Sequence, residues 1–265
     1  MVPVMIFNDL NEVFFMTALS PCRSLSFSGT ALKTIACITM LVDHIGASCI
    51  EAGILTPGLD VGALSQDALS ACPLYRLDMV LRFTGRLAFP LFCFLLVEGF
   101  VHTHDVKGYL GRLLLFGLLS EVPFDLAFFR TPFAPQHQNV YWTLALGVLA
   151  MAGLKRFEKP DGTASVKSLL CVGTCALTAF LANTDYHAIG VLIICTLYLT
   201  RADRKQQCLA GAVLFLFELT APQAFVLVWF YNGQRGACSP LLKKAFYWFY
   251  PVHLLVLAMI TNLML

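Results

Sequence analysis

One stretch limits what this chain can fold into. Residues 30–53, TALKTIACITMLVDHIGASCIEAG, form an apolar run long enough to enter a bilayer, yet Asp43 and His44 stand inside it. About 20 apolar residues in a helix cross the ~30 Å hydrocarbon core. An adjacent carboxylate and imidazole are costly at that depth, and such groups persist where they face a bundle interior or a wet cavity. The rest of the sequence therefore has to supply other spans that enclose them.

It does so in composition and in pattern. Charged residues make up only 13% of the 265, hydrophobic residues 58%, and mean hydropathy is +0.74. Soluble domains carry roughly 25% charged residues, so the expected fold class is all-α, a polytopic transmembrane helix bundle. Apolar segments recur at 32–50, 84–102, 109–129, 139–154, 167–183, 188–200, 207–220, 222–232 and 245–265, about nine spans, two of them short enough to be re-entrant or merged. Fourteen of the eighteen Lys and Arg residues fall on one side of this arrangement. The positive-inside rule then places the N-terminus in the cytoplasm and the C-terminus outside. Residues 1–29 lack a basic leader and carry Asp9 and Glu12, which suggests an interfacial amphipathic segment ahead of a transmembrane domain at 30–265. The net charge of +2 shows no basic stripe, which gives no case for nucleic-acid binding. Cysteines lie mostly inside apolar runs without metal spacing, so no metal site is expected; Cys49 and Cys72 flank one polar loop and can pair if it faces an oxidising compartment.

The orientation gives every intramembrane polar group a depth. Asp43 and His44 fall in the outward half of the first span. Arg82 and Arg86 are one turn apart in RFTGRLAFP, and Glu121 and Asp125 are one turn apart in SEVPFD. Two cations on one helix stripe at the height of two anions on the next predict mutual pairing. Asn139, Asp185, His187 and Glu218 lie at similar depth. A histidine there can take a proton at neutral pH while a carboxylate selects its tautomer. Neighbouring side chains on a helix diverge by about 100°, so Asp43 is a poor partner for His44, and Asp185 or Glu121 is expected instead. The inner side holds Glu98, His102 and Arg112, and then Asn232, Arg235, Lys243, Lys244, Tyr250 and His253 around the last helix, with Pro251 calling for a kink.

Several of these runs together resemble one family. LKTIACITMLVDHIG (32–46), RFTGRLAFPLFCFLLVEGFVHTHD (82–105), YLGRLLLFGLLSEVPFDLAF (109–128), NVYWTLALG (139–147), DYHAIGVLIICTLYL (185–199), YNGQRG (231–236) and FYWFYPVHLLVL (246–257) follow the order and spacing of TraX proteins. The chain resembles that family of membrane acetyltransferases, named for the protein that N-acetylates F-type pilin. The resemblance implies a bacterial inner-membrane enzyme that passes acetyl from acetyl-CoA, as co-substrate, to an acceptor peptide, glycan or lipid. Residue by residue it implies His44 as catalytic base beside Asp43, a polar framework of Arg82, Arg86, Glu98, Glu121 and Asp125, and donor-side roles for Asn232, Arg235 and His253. The placement of the residues themselves adds Asp185 to the surroundings of the base, and Arg112, Lys243, Lys244 and Tyr250, with Glu98, to the donor side. His187 departs from the family pattern, and the loop at 51–76 has no counterpart. Two other classes suit the same residues: a proton- or ion-coupled transporter, and an assembly factor whose charges only join helices.

Overall fold

The computed structural model describes residues 25–55, 72–159 and 163–263. Most of the expected amphipathic segment, and most of the loop after residue 55, lie outside them. Every regular element among the described residues is helical. Helix α1 (Gly29–His44) continues as a π-helix (Ile45–Leu55). After it come α2 (Pro73–Gly85), α3 (Ala88–His102), α4 (Val106–Phe129), α5 (Val140–Arg156), α6 (Val166–Leu181) and α7 (His187–Leu199). A broken hairpin of α8 (Arg204–Leu214), a 3-10 turn (Ala221–Gln223) and α9 (Ala224–Trp229) precedes the long α10 (Pro240–Leu263).

Local chemistry sets the helix starts. Ser28, Asp105, Asn139, Ser165 and Asp203 each accept a hydrogen bond from a first-turn backbone N–H, satisfying one of the orphan donors there. Pro73 and Pro240 occupy first-turn positions that need no N–H. Three stretches, Gly29–Leu55, Pro73–His102 and Pro240–Leu263, are long and apolar enough to cross a membrane. The expected segments thus appear as helices, but several are shorter than a full crossing. The 207–232 region, read as two spans, is an 11-residue and a 6-residue helix folded against one another.

Cross-helix contacts fix the relative directions. Lys33 meets Phe246 and Tyr247, His44 meets His253, and Ser48 meets Thr261, so α1 and α10 run in parallel. Asp43 meets Arg82 and Gly46 lies against Asp78, so α2 runs the opposite way. At the start of α1 the YNGQRG segment acts as a strap. The Gln234 and Arg235 carbonyls accept from the Gly29 and Thr30 N–H groups at 2.8 Å each, while Phe27 pairs with Phe230 and Asn232. The first-turn donors of α1 are thereby satisfied by the segment that leads into α10, which explains why both helices begin at one level.

The core lies among α3, α5, α6 and α7. Helix α7 is apolar around most of its circumference and packs against α3, α5, α6 and α8, as expected for a buried helix. By contrast, Leu114, Leu115, Leu118, Leu119 and Val122 form an exposed stripe along α4, with Leu169, Leu170, Leu177, Phe180 and Leu181 likewise exposed on α6. A soluble monomer does not leave such continuous apolar faces open, whereas a membrane protein turns faces of this kind to lipid.

Helices α1 and α2 cross so closely that a Cβ on Gly85 would stand 2.1 Å from Asp43 Cβ. Gly85→Ala is therefore expected to lower stability by about 1–3 kcal/mol. Gly173→Ala in α6, where nothing lies within 4 Å, should be neutral or stabilising by up to about 1 kcal/mol. Thermal unfolding of the detergent-purified variants checks both.

Candidate functional site

Helices α1, α4, α5 and α10, the α2–α3 junction and the α6–α7 turn surround a cavity of about 440 Å³. That volume is typical of a small-ligand site. Asp43, His44, Glu51, Arg82, Arg86 and Asp185 line it, facing a wall of aromatic rings that includes Phe124, Phe128, Tyr141, Phe249 and Tyr250. Five residues expected at the reacting centre thus share one chamber. Glu121 and Asp125, expected with them, do not line it.

The ion pairs differ from those predicted. Arg82 Nη1 donates to Asp43 Oδ2 at 2.5 Å, with Glu51 3.7 Å from its Nε, and Arg86 Nη1 donates to Glu218 Oε1 at 2.9 Å. Neither arginine reaches the SEVPFD carboxylates. The α2 helix ends at Gly85 and the chain turns before α3, which aims both guanidinium groups towards α1 and the α8–α9 hairpin rather than α4. Glu121 instead accepts from the Asn139 amide and from Trp142 Nε1, and Asp125 accepts from the Ala134 N–H at 2.8 Å. Asn139 also donates to the Gly117 carbonyl at 2.9 Å. These groups build the α4–α5 corner. That corner pairs through Gln138 with the α6–α7 turn, which carries Asp185 and Tyr186. Tyr186 stacks on Phe89 and donates to Glu218, closing the chamber on that side.

His44 is oriented by neither Asp185 nor Glu121. Its Nδ1 lies 2.7 Å from Nε2 of His253, and Nδ1 of His253 lies 2.6 Å from the Phe249 carbonyl. Phe128 and Tyr250 present ring edges to the His44 imidazole, with centroids 5.3 and 5.9 Å away. His253 and Tyr250, expected beside the donor, therefore sit against His44. Helix geometry accounts for it: His44 and His253 lie 15 and 13 residues beyond the starts of parallel helices, each roughly 20 Å along. Pro240 at the head of α10 was the sequence signal for that depth. Helix α10 continues through Pro251.

The other end of the cavity reaches Cys37 and Phe246. One turn further lies Lys33, its ammonium 4.8 and 5.6 Å from the ring centres of Phe246 and Tyr247, with Arg235 in its electrostatic surroundings. Lys33 was not singled out in the sequence; its place on the Cys37–His44 face of α1 was the available clue. Lys243 and Lys244 are exposed in the first turns of α10, three and two residues before Phe246. Asn232 accepts from the Gln234 N–H within the strap, a structural use. Glu98 lies beside Tyr231, Arg112 projects over Tyr109, and His187 is exposed; none of the three lines the cavity. Cys49 and Cys72 are unbonded thiols.

The sequence matches the family described as TraX protein over residues 28–261. The chain belongs to the TraX family. It is 31% identical over 262 aligned residues to a probable fimbrial assembly protein, FimC of serogroup H1, from Dichelobacter nodosus, covering 89% of this chain and 96% of the relative. No solved structure matches it. The TraX match begins at the strap-bound start of α1 and ends at Thr261, inside α10, so every residue lining the cavity falls within the family's span.

Two outcomes follow from the electrostatics. Removing Arg82 leaves Asp43 enclosed without its counter-charge, so Arg82→Met should destabilise by about 3 kcal/mol, and adding Asp43→Asn should recover most of that in a double-mutant cycle. Asp185 is an exposed residue of the α6–α7 turn that lines the cavity, and lost hydration there, reinforced by the Asp43 carboxylate, pushes its carboxyl up from 3.8 to about 6. A carboxyl raised on folding favours the folded state most below its unfolded value, and that advantage is lost as pH rises through the folded one. Asp185→Asn should thus gain melting temperature relative to the wild type between pH 3.8 and about 6, with a constant difference above.

Proposed function

We propose that this TraX protein is an integral membrane acetyltransferase that takes acetyl from cytosolic acetyl-CoA and passes it to an acceptor amine at the opposite face. The observation that carries this reading is one cavity with two chemically distinct ends. At one stand an imidazole and two guanidinium groups; the other is lined by Cys37 and Phe246, whose ring holds the Lys33 ammonium, with Arg235 close to that lysine. In this reading the protein crosses the inner membrane several times with the N-terminus inside and the short α8–α9 hairpin re-entrant, so the lysine end faces the cytoplasm. The positive-inside distribution and the parallel run of α1 and α10 support that orientation.

The steps follow from the residues. The phosphates of acetyl-CoA dock on Lys33, Arg235, Lys243 and Lys244, and the thioester arm enters past Phe246 and Cys37. The cavity's volume suits that arm, with the nucleotide portion outside. The acceptor ammonium first gives one proton to solvent; His44 then takes a proton from the neutral amine as its nitrogen attacks the thioester carbonyl carbon. The carbonyl oxygen gains negative charge beside Arg82 and Arg86, whose N–H groups not engaged by Asp43 and Glu218 can donate to it. The C–S bond then breaks, the amide forms, and the leaving thiolate takes the proton from the His44 imidazolium. Asp185, a carboxylate on the chamber wall outside the two arginine ion pairs, draws a cationic amine to the site. The fimbrial name of the relative supports a pilin-type subunit as acceptor.

Purified protein in liposomes, supplied with labelled acetyl-CoA and an amine-bearing pilin peptide, tests the proposal. His44→Ala should lower label transfer by about 10²–10⁴-fold, the range for a general base. Transfer at the wild-type rate in that variant would overturn it.

A further inference from the structure

The contacts around the two histidines leave one consistent placement of protons. A backbone carbonyl can only accept, so the 2.6 Å contact between His253 Nδ1 and the Phe249 oxygen puts a proton on that nitrogen. In a neutral imidazole the second nitrogen is then an acceptor, and the 2.7 Å contact must carry the proton of His44 Nδ1. The alternative, a proton on both nitrogens of His253, would set an imidazolium in a buried site among the rings of Phe249 and Tyr250. The ring planes differ by only 13°, so the N–H of one ring points along the lone pair of the other. His44 Nε2 keeps its lone pair and has no hydrogen-bond partner among the described residues.

We infer that His253 is a positioning residue, which holds His44 in the Nδ1–H tautomer so that Nε2 is the atom that exchanges the acceptor's proton. The inference rests on the acetyl-transfer reading for its functional half only. Free imidazole side chains prefer the proton on Nε2, so without a fixed acceptor at Nδ1 the ring would turn its donor, not its lone pair, to the substrate. His253 thus does the work a carboxylate does in other acid–base pairs, without adding negative charge. It remains able to accept from Nδ1 more strongly once Nε2 is protonated, which steadies the imidazolium during turnover. Its own ring is held by the Phe249 carbonyl one helical turn earlier and by stacking on the Phe249 ring, centroids 4.7 Å apart.

Nitrogen-15 spectra of histidine-labelled protein in detergent report the tautomers without any substrate. Six histidines are present, and the His44 and His253 signals are assigned by their loss in the two single variants. In the wild type both rings should show a protonated Nδ1 and an unprotonated Nε2. In His253→Leu the His44 signal should shift to the Nε2–H form and acetyl transfer should fall about 10²-fold in kcat with KM for acetyl-CoA unchanged. His253→Gln, whose amide oxygen can stand where Nε2 stood, should restore the Nδ1–H signal and bring transfer to within about 10-fold of wild type. A wild-type His44 with its proton on Nε2, or a Gln variant as impaired as the Leu variant while equally well folded by melting temperature, would overturn the inference. If the tautomers are as stated but His44→Ala transfers acetyl normally, the proton chain stands and the acetyltransferase reading fails.

Discussion

The arrangement depends on the rule that a charge taken to membrane depth has to meet its partner there. The salt bridge between Arg82 and Asp43 is where the rule bears hardest, because it joins two helices packed so closely that only a glycine fits between them. Gly85 permits that approach, and Gly46 meets Asp78 one turn away on the same seam. With Asp43 neutralised by Arg82 and Glu218 by Arg86, the chamber can hold polar groups without an uncompensated ion at every corner. His44 is then free of a carboxylate partner, which is why a second histidine can take that place. The polar end of the cavity is assembled by distributing counter-charges among α1, the α2–α3 junction and the α8–α9 hairpin.

Backbone geometry serves the same end. The helix that carries Asp43 and His44 changes to a π-helix at the next residue, Ile45. A π-helical turn is wider and its side chains are re-phased, and such turns occur chiefly at functional sites. Here the change keeps Ala47, Glu51 and Ala52 on the cavity wall beyond His44, while Ser48 turns to the Ala127 carbonyl and Thr261. One segment thereby lines a cavity on one side and locks α4 and α10 on the other.

Much of this was legible in the sequence, and what was not has a physical reason. Hydropathy located the helices, apart from α2 at Pro73–Gly85 ahead of the 84–102 run, because lipid-facing and core-facing residues are both apolar. The conjunction of Asp43, His44, Arg82, Arg86 and Asp185 followed from depth alone. Depth failed for His253 and Tyr250: an apolar window marks where lipid contact starts, whereas α10 begins earlier, at the exposed Pro240, moving both residues to mid-helix. Pairing failed for Glu121 and Asp125 because equal height does not fix azimuth, and Asn139 and the Ala134 amide were nearer partners. Lys33 looked like an ordinary flanking cation, since the rings of Phe246 and Tyr247 that hold it are more than 200 residues away.

The strap and the cavity together show why the two ends are chemically unlike. The carbonyls of Gln234 and Arg235 bind the first N–H groups of α1, which spends the positive end of that helix on the protein's own backbone. An anionic ligand at that end then has to be met by side chains, and Lys33 is held half-buried between aromatic rings for which a cation is a good partner. At the far end the order is reversed: cations are already paired, and the neutral imidazole is the group with an unused lone pair. A molecule carrying phosphates at one terminus and an electrophilic carbonyl at the other would find complementary chemistry at both ends of the same cavity. A small ion in transit would need neither the aromatic wall nor an imidazole held in one tautomer.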